Sequence, residues 1–309
     1  MPPQVSVIIC TLDRVNCLPA CLESLCDQVG IDRAEVIVVN DGSTDRTLDI
    51  VEQGSSRLNI RYVKAGFRSL GKARNLGLHE ATSPVVAYLD DDATAEPGWL
   101  ASLTVDFASS DFAGQTGPVT PNGSWDEANQ WLHPAVARQL FSLAADRPVS
   151  IDLHYPDCLL GCNMAFKHDF LIRCGGFSPD IQSYDEAFVV WPAMKHGHRF
   201  FFNRNMRARH RIDPRRLDPQ FIWKKFRGQG AAYQRLIPTL RHQGLRSSPL
   251  LLESLRSICG YMVSSLLHDK QKQTAFTAQI AFALGRLQSF MGHIGDYYEK
   301  PEVVRAGRL

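Results

Sequence analysis

Three consecutive carboxylates, Asp90, Asp91 and Asp92, follow the apolar run VVAYL at residues 85–89. Ionised carboxylates beside a buried strand are costly unless cations or hydrogen bonds compensate them. Oxygen-rich clusters of this kind suit a hard divalent cation. Further acids and bases sit at similar places: Thr11, Asp13 and Arg14 after VSVIIC (5–10), Asn40 and Asp41 in NDGSTDRT after VIVV (36–39), and Lys72 and Arg74 in GKARNLG. A second acidic pair, Asp185 and Glu186, opens a stretch with helical character. Asp45 has a duller explanation, since Asp and Ser after a strand often cap the next helix.

Such residues converge only if the elements behind them bring their ends to one edge. The first hundred residues alternate short apolar runs with amphipathic stretches. Residues 5–10, 36–39, 60–63 and 85–89 read as strands, and the continuous β-branched runs suit strands covered on both faces. Helices are expected at 18–28, from a Ser43 or Thr44 cap to Val51, and at 71–81. This rhythm implies an open parallel sheet with ligands at the carboxyl ends of its strands. Residues 114–120 (GQTGPVT) could add a strand, and a helix is expected from Asp185 towards His196. The polar stretch at 121–155, with Trp125, Trp131 and His133, is longer than most connections and is read as functional or disordered. From Pro219 the pattern is helical, with leucine-rich turns around 250–267 and again at 276–290.

The chain has 309 residues, 44% hydrophobic and 21% charged, an ordinary soluble composition. No secretory signal or membrane span is legible. Eight cysteines show helical spacing at Cys17/Cys21 and Cys158/Cys162 without CxxC or clustered histidines. They read as small buried hydrophobes in a reducing compartment. The net charge of +2 hides an asymmetry: residues 199–246 hold 13 bases and two acids, leaving 21 bases and 30 acids elsewhere. A segment at +11 suits a phosphate-bearing ligand or an anionic membrane, and equally a solvated helical face.

Strand-end acids serve phosphoryl-accepting receiver domains and nucleotide-sugar transferases. A receiver would end near residue 120, whereas the acids here continue to Asp185 and Glu186. A nucleotidyltransferase would show a glycine-rich loop after its first strand, which CTLDRVN lacks. The pieces VSVIICTLDR, VIVVNDGSTDRT, GKARNLGL, YLDDDATAEPGWL, GCNMAF with GGF, and YDEAFVVWPAMKHGHRF, in this order over residues 5–230, resemble a family 2 glycosyltransferase.

That resemblance implies the GT-A fold: a Rossmann-like α/β domain with a mainly parallel central sheet and flanking helices, over residues 1–230, plus a helical C-terminal extension, 231–309. Residues 1–120 would form the nucleotide-binding part and 121–230 the acceptor-side and catalytic part. It implies inverting transfer from a nucleotide-diphosphate sugar, UDP-sugar first, with Mn²⁺ or Mg²⁺ as cofactor. The acceptor would be a hydroxyl on a glycan or lipid-linked molecule, in the cytoplasm or at the inner face of an anionic membrane. No nucleic acid is implied. By similarity Asp92 and Asp90 would hold the metal, helped by His210, with Asp91 in support. Thr11, Asp13 and Arg14 would line the nucleotide pocket, Asp41 would bind the base, and Arg74, with Lys72, the base or diphosphate. Glu186 would be the general base and Asp185 its neighbour, with Gly161, Asn163 and Trp191 on the acceptor side. Residues 226–232 (FRGQGAA) resemble a phosphate-proximal element. The chain departs from the family in its Asp-Glu order and in Phe188 and Pro192, where an acid and an arginine are frequent. Proline there is expected to kink or shorten the helix, which keeps open a catalytically weak nucleotide-sugar binder.

Overall fold

The run VSVIICT forms β1 (Val5–Thr11), and its alternate side chains feed two cores, Val5, Val7 and Ile9 on one face and Ile8 on the other. That double burial is why the run is apolar throughout. This is a computed structural model, which describes residues 2–44, 46–107, 110–122, 131–145, 149–181, 184–242 and 269–291. Asp45, Trp125 and the leucine-rich turns around 250–267 lie outside those residues.

Around β1, β2 (Ala34–Asn40), β3 (Ile60–Lys64) and β4 (Val85–Leu89) run parallel, linked by α1 (Leu18–Cys26), α2 (Thr47–Gly54) and α3 (Leu70–Glu80). The expected helix cap is absent. Helix α2 starts after Arg46 without a side-chain cap. Ser43 and Thr44 are instead engaged with Asp13: the Asp13 amide donates to Ser43 Oγ at 3.0 Å and the Thr44 amide donates to Asp13 Oδ1 at 2.7 Å.

Beyond β4 come β5 (Ala93–Ala95), β6 (Phe112–Thr116), β7 (Val119–Asn122), α4 (Pro134–Leu140), β8 (Ile151–Leu153) and β9 (Asn163–Lys167). Then follow α5 (His168–Arg173), α6 (Asp185–Lys195), β10 (Arg199–Phe202), β11 (Ala208–Arg211), α7 (Pro219–His242) and α8 (Lys270–Phe290). The main sheet has the order β3-β2-β1-β4-β9-β6-β10-β8. It is parallel except for β9, antiparallel to β4 and β6, and β8, antiparallel to β10. The stretch expected as one strand at 114–120 is two, because Gly117 and Pro118 turn the chain from β6 into a second sheet, β5-β11-β7. A Cβ on Gly117 would lie 2.1 Å from the Met206 carbonyl oxygen, so only glycine allows the two segments to approach.

Helix α6 continues through Pro192, against the expectation of a shortened helix. Its buried face, with Val189, Val190, Trp191 and Ala193, holds the helix in place despite the lost backbone bond. Helix α7 crosses residue 230 without interruption and packs on α8. At the crossing, a Cβ on Gly230 would lie 1.9 Å from the Phe282 carbonyl oxygen, and one on Gly285 1.8 Å from that of Arg227. Residues 226–232, which resemble a phosphate-proximal element, lie within α7 at this helix crossing. Among the described residues the cysteines are free, and no helix is long and apolar enough to cross a membrane.

Candidate active site

Strand β4 ends at Leu89 and β5 begins at Ala93, so the three aspartates form the turn between them. Strand β11 lies antiparallel to β5 with His210 opposite Ala93, which brings an imidazole from the far part of the chain to that turn. His210 Nε2 lies 2.9 Å from Asp92 Oδ1, and Nδ1 lies 2.6 Å from the Phe141 carbonyl oxygen. A carbonyl only accepts, so Nδ1 carries the proton facing Phe141. The opposite nitrogen then presents its lone pair to a carboxylate unless a cation, proton or metal, lies between them. Potential ligand atoms of Asp90, Asp92 and His210 lie within 4.8 Å of one another. Two carboxylates and an imidazole oriented through its other nitrogen make a donor set suited to a divalent metal.

The costs of the triple aspartate are met differently at each residue. Asp92 Oδ2 accepts from Arg14 Nη1 at 2.9 Å and from Arg216 Nη2 at 3.0 Å. Burial works to raise its pKa, but the His210 hydrogen bond and the charges of His210, Arg216 and Arg14 together hold it well below the usual range. Asp91 is buried, and burial pushes it up to about 7 against the pull of Arg14. Asp90 is also raised by burial, with Arg74 opposing.

Arg74 joins this turn to the second acidic pair. It is buried in α3, with Nη1 donating to Asp185 Oδ2 at 2.6 Å and Nη2 to the Gly161 carbonyl at 2.9 Å. Nη2 also meets Asp90 Oδ1 at 3.4 Å, and the guanidinium lies 5.4 Å from the Phe177 ring centroid. Arg74, expected to bind the base or diphosphate, spends its donors here on Asp185, Gly161 and Asp90, as a buried guanidinium must on nearby acceptors, and so fastens α6 to the end of β4. Burial alone would raise Asp185, yet Arg74 and a hydrogen bond from Glu186 lower it. Glu186 is pushed up to about 8, first by burial and then by the negative charge of Asp185. A Cβ on Gly161 would come within 3.6 Å of Glu186 Oε2, so this turn borders the pair.

The remaining expected residues divide. Thr11 is buried at the end of β1, and Asp13, at φ 52°, pins Thr44. Asp41, expected to face the base, accepts from the amides of Phe67 at 2.7 Å, Arg68 at 3.0 Å and Ser69 at 2.6 Å. Its carboxylate shapes the loop before α3. Lys72 is exposed on α3. Asn163, expected in the acceptor-side turn, is fully buried, accepting from Trp99 Nε1 and donating to the Met206 carbonyl. Trp191 is a core residue that donates to the Asp157 carbonyl and stacks edge-on with Tyr155. A cavity of about 300 Å³ beside Trp191 also borders His154 and His198, at the end of α6 remote from Asp185. Arg216 was missed from the sequence, where its only signal was the basic run after His210. Much of the +11 segment is satisfied internally: Arg199 pairs with Asp111 and Asp152, Arg207 and Arg209 with Glu96, Arg215 with Asp213, and Arg216 with Asp92.

The family described as Glycosyl transferase family 2 matches residues 6–172. A glucosyl-dolichyl phosphate glucuronosyltransferase of Haloferax volcanii is 24% identical over 252 residues, 77% of this chain and 78% of that protein. A chondroitin synthase of Escherichia coli is 38% identical over 117 residues, 37% of this chain but only 17% of that protein. Among solved structures, a mannosyltransferase from Pyrobaculum calidifontis in complex with GDP-Man and Mn²⁺ superposes with a TM-score of 0.62 at 18% identity, over 94% of this chain and 88% of that one. TarS 1–349 of S. aureus in complex with UDP has a TM-score of 0.51 at 17% identity, over 94% and 92%. These two likenesses show the GT-A fold.

Proposed function

The chain belongs to glycosyl transferase family 2, and from that premise we propose that it transfers a sugar from a nucleoside-diphosphate sugar to a hydroxyl acceptor with inversion. The observation that carries the reading is one continuous polar line. It runs from the Asp90–Asp92–His210 cluster through Arg74 to Asp185 and Glu186.

In this reading Asp90, Asp92 and His210 hold a divalent cation, and the imidazole leans the choice from Mg²⁺ towards Mn²⁺. Bound there, the cation would neutralise charge on the departing diphosphate. Glu186 takes the proton of the acceptor hydroxyl at its carboxylate as the oxygen bonds to the anomeric carbon and the sugar–phosphate bond breaks. A base with a pKa of about 8 is matched to near-neutral chemistry. Arg74 keeps the base helix in register with the donor end by binding Asp185 and Asp90 at once. Asp41 contributes indirectly, by fixing the backbone of residues 67–69 beside the nucleotide pocket.

UDP-sugar is the first choice of donor and GDP-sugar the second. The acceptor class is a glycan or lipid-linked hydroxyl. A melting screen of UDP- and GDP-sugars with and without Mn²⁺ tests the donor half: stabilisation that needs both nucleotide and metal supports it. Identical melting under every condition overturns it.

A further inference from the structure

Asp92 is the most heavily engaged carboxylate of the turn. Its side chain is 4% exposed, its Oδ1 faces His210, and its Oδ2 accepts from both Arg14 and Arg216. The two arginines differ from the other bases around them. Arg215 is taken by Asp213 and Arg211 by the Asn16 carbonyl and Cys17, whereas Arg14 and Arg216 make their close ion pairs with Asp92, the Arg14 charge also acting on neighbouring Asp91. Both remain partly open, with 29% and 19% of their side chains exposed. Arg14 lies in the loop after β1 and Arg216 on the short 3₁₀ helix Pro214–Leu217. A change of side-chain rotamer at either position disturbs no α-helix or strand.

Two unit positive charges on one oxygen of a metal-ligand carboxylate oppose a bare divalent ion. A nucleoside diphosphate reverses that balance, because its oxygens accept the guanidinium forks that the carboxylate gives up. Resting on the donor-site reading above, we propose that Arg14 and Arg216 are a stand-in cation. They hold Asp92 in the free protein, disfavour metal binding without nucleotide, and move to the diphosphate when nucleotide and metal arrive together. Donor binding is thereby made cooperative with metal binding, and the metal is admitted chiefly as a companion of the diphosphate.

A purely structural arginine would weaken both ligands when removed. An exchanging arginine gives opposite signs. For Arg216→Gln, the affinity for Mn²⁺ alone, followed by electron paramagnetic resonance of free ion, should rise about tenfold. That is the water-limit repulsion between one unit charge and a divalent ion about 5 Å apart. The affinity for UDP or GDP at saturating Mn²⁺, by calorimetry, should fall about tenfold or more, as for a lost charged hydrogen bond. Arg216→Lys keeps the charge and loses the fork, so Mn²⁺ alone should bind as in wild type while the diphosphate still weakens. Arg14→Gln should repeat the opposite-sign pattern and carries the test if the Arg216 variant does not fold. Loss of both affinities, or no change in either, overturns the exchange while leaving the donor site standing. A wild-type protein that binds neither Mn²⁺ nor any nucleoside diphosphate overturns the donor-site reading itself, and the exchange with it.

Discussion

Replacing Glu186 by Gln tests the base assignment with a magnitude that follows from the surroundings. Burial and the adjacent Asp185 charge hold the carboxyl at about 8. A group with that pKa is about one-tenth ionised at pH 7 and about nine-tenths at pH 9. The base must be ionised to accept a proton, so wild-type kcat/KM, which reports the free enzyme, should climb about tenfold between those values and level off above them. The assay is release of nucleoside diphosphate from whichever donor stabilises the protein in the melting screen. Glu186→Gln should lie about 10²–10⁴-fold lower and lose the rise with pH. Asp185→Asn removes a charge that raises Glu186, so its surviving activity should show the inflection at lower pH. The same shift predicts stability. The folded state holds its proton above the ordinary value of 4.5, so stability is lost as pH rises from about 4.5 to about 8. The melting temperature of Glu186→Gln should therefore gain on wild type across that window and run parallel beyond it. A flat wild-type profile between pH 6 and 9, or a Gln variant within about threefold of wild type, would refute the mechanism, because a positioned base contributes far more.

Asp92→Asn should abolish the part of nucleotide-induced stabilisation that depends on Mn²⁺; equal melting shifts for variant and wild type would exclude Asp92 as a metal ligand. Arg74→Met leaves Asp185 and Asp90 without their shared cation, and breaking such a buried pair costs about 3–5 kcal/mol. A urea titration showing a loss below about 1 kcal/mol would contradict the strut role. Gly230→Ala should destabilise by about 1–3 kcal/mol through overpacking against Phe282, although alanine is about 1 kcal/mol the better helix former. A higher melting temperature for that variant would mean that α7 and α8 can separate freely at the crossing.

Strands β1, β2 and β4 were legible because they are buried along nearly their whole length, which leaves apolar runs that few helices or loops would carry. Strand β9 was not: its run NMAFK is buried like that of its neighbours, yet it was not read as a strand, and it pairs antiparallel to β4 and β6. The helix from Asp185 towards His196 was legible in α6, but its continuation through Pro192 was not. Proline costs a helix interior about 3 kcal/mol, but Val189, Val190, Trp191 and Ala193 lie buried on this helix. Tertiary burial outweighed the backbone defect, and the helix that carries Glu186 runs on to Lys195.

At the site, the acids were conspicuous because a carboxylate beside a buried strand demands a compensating group. Their compensators were hidden by distance along the chain: Arg74 lies 111 residues from Asp185, and Arg216 lies 124 residues from Asp92. Asp41 shows the converse, a residue singled out for its type whose oxygens serve backbone amides at 67–69. The uneven charge of the chain points to the missing step. Residues 199–246 carry eleven more bases than acids while the remainder carries nine more acids than bases. Reading that segment as a surface for a partner treats each segment's charge as if it stayed where the sequence puts it. Folding interleaves the two populations, and Arg207 and Arg209 on Glu96, like Arg216 on Asp92, neutralise acids from the first third of the chain. A costly buried acid therefore directs the search to the segment with surplus opposite charge, and for Asp92 that segment contains both His210 and Arg216.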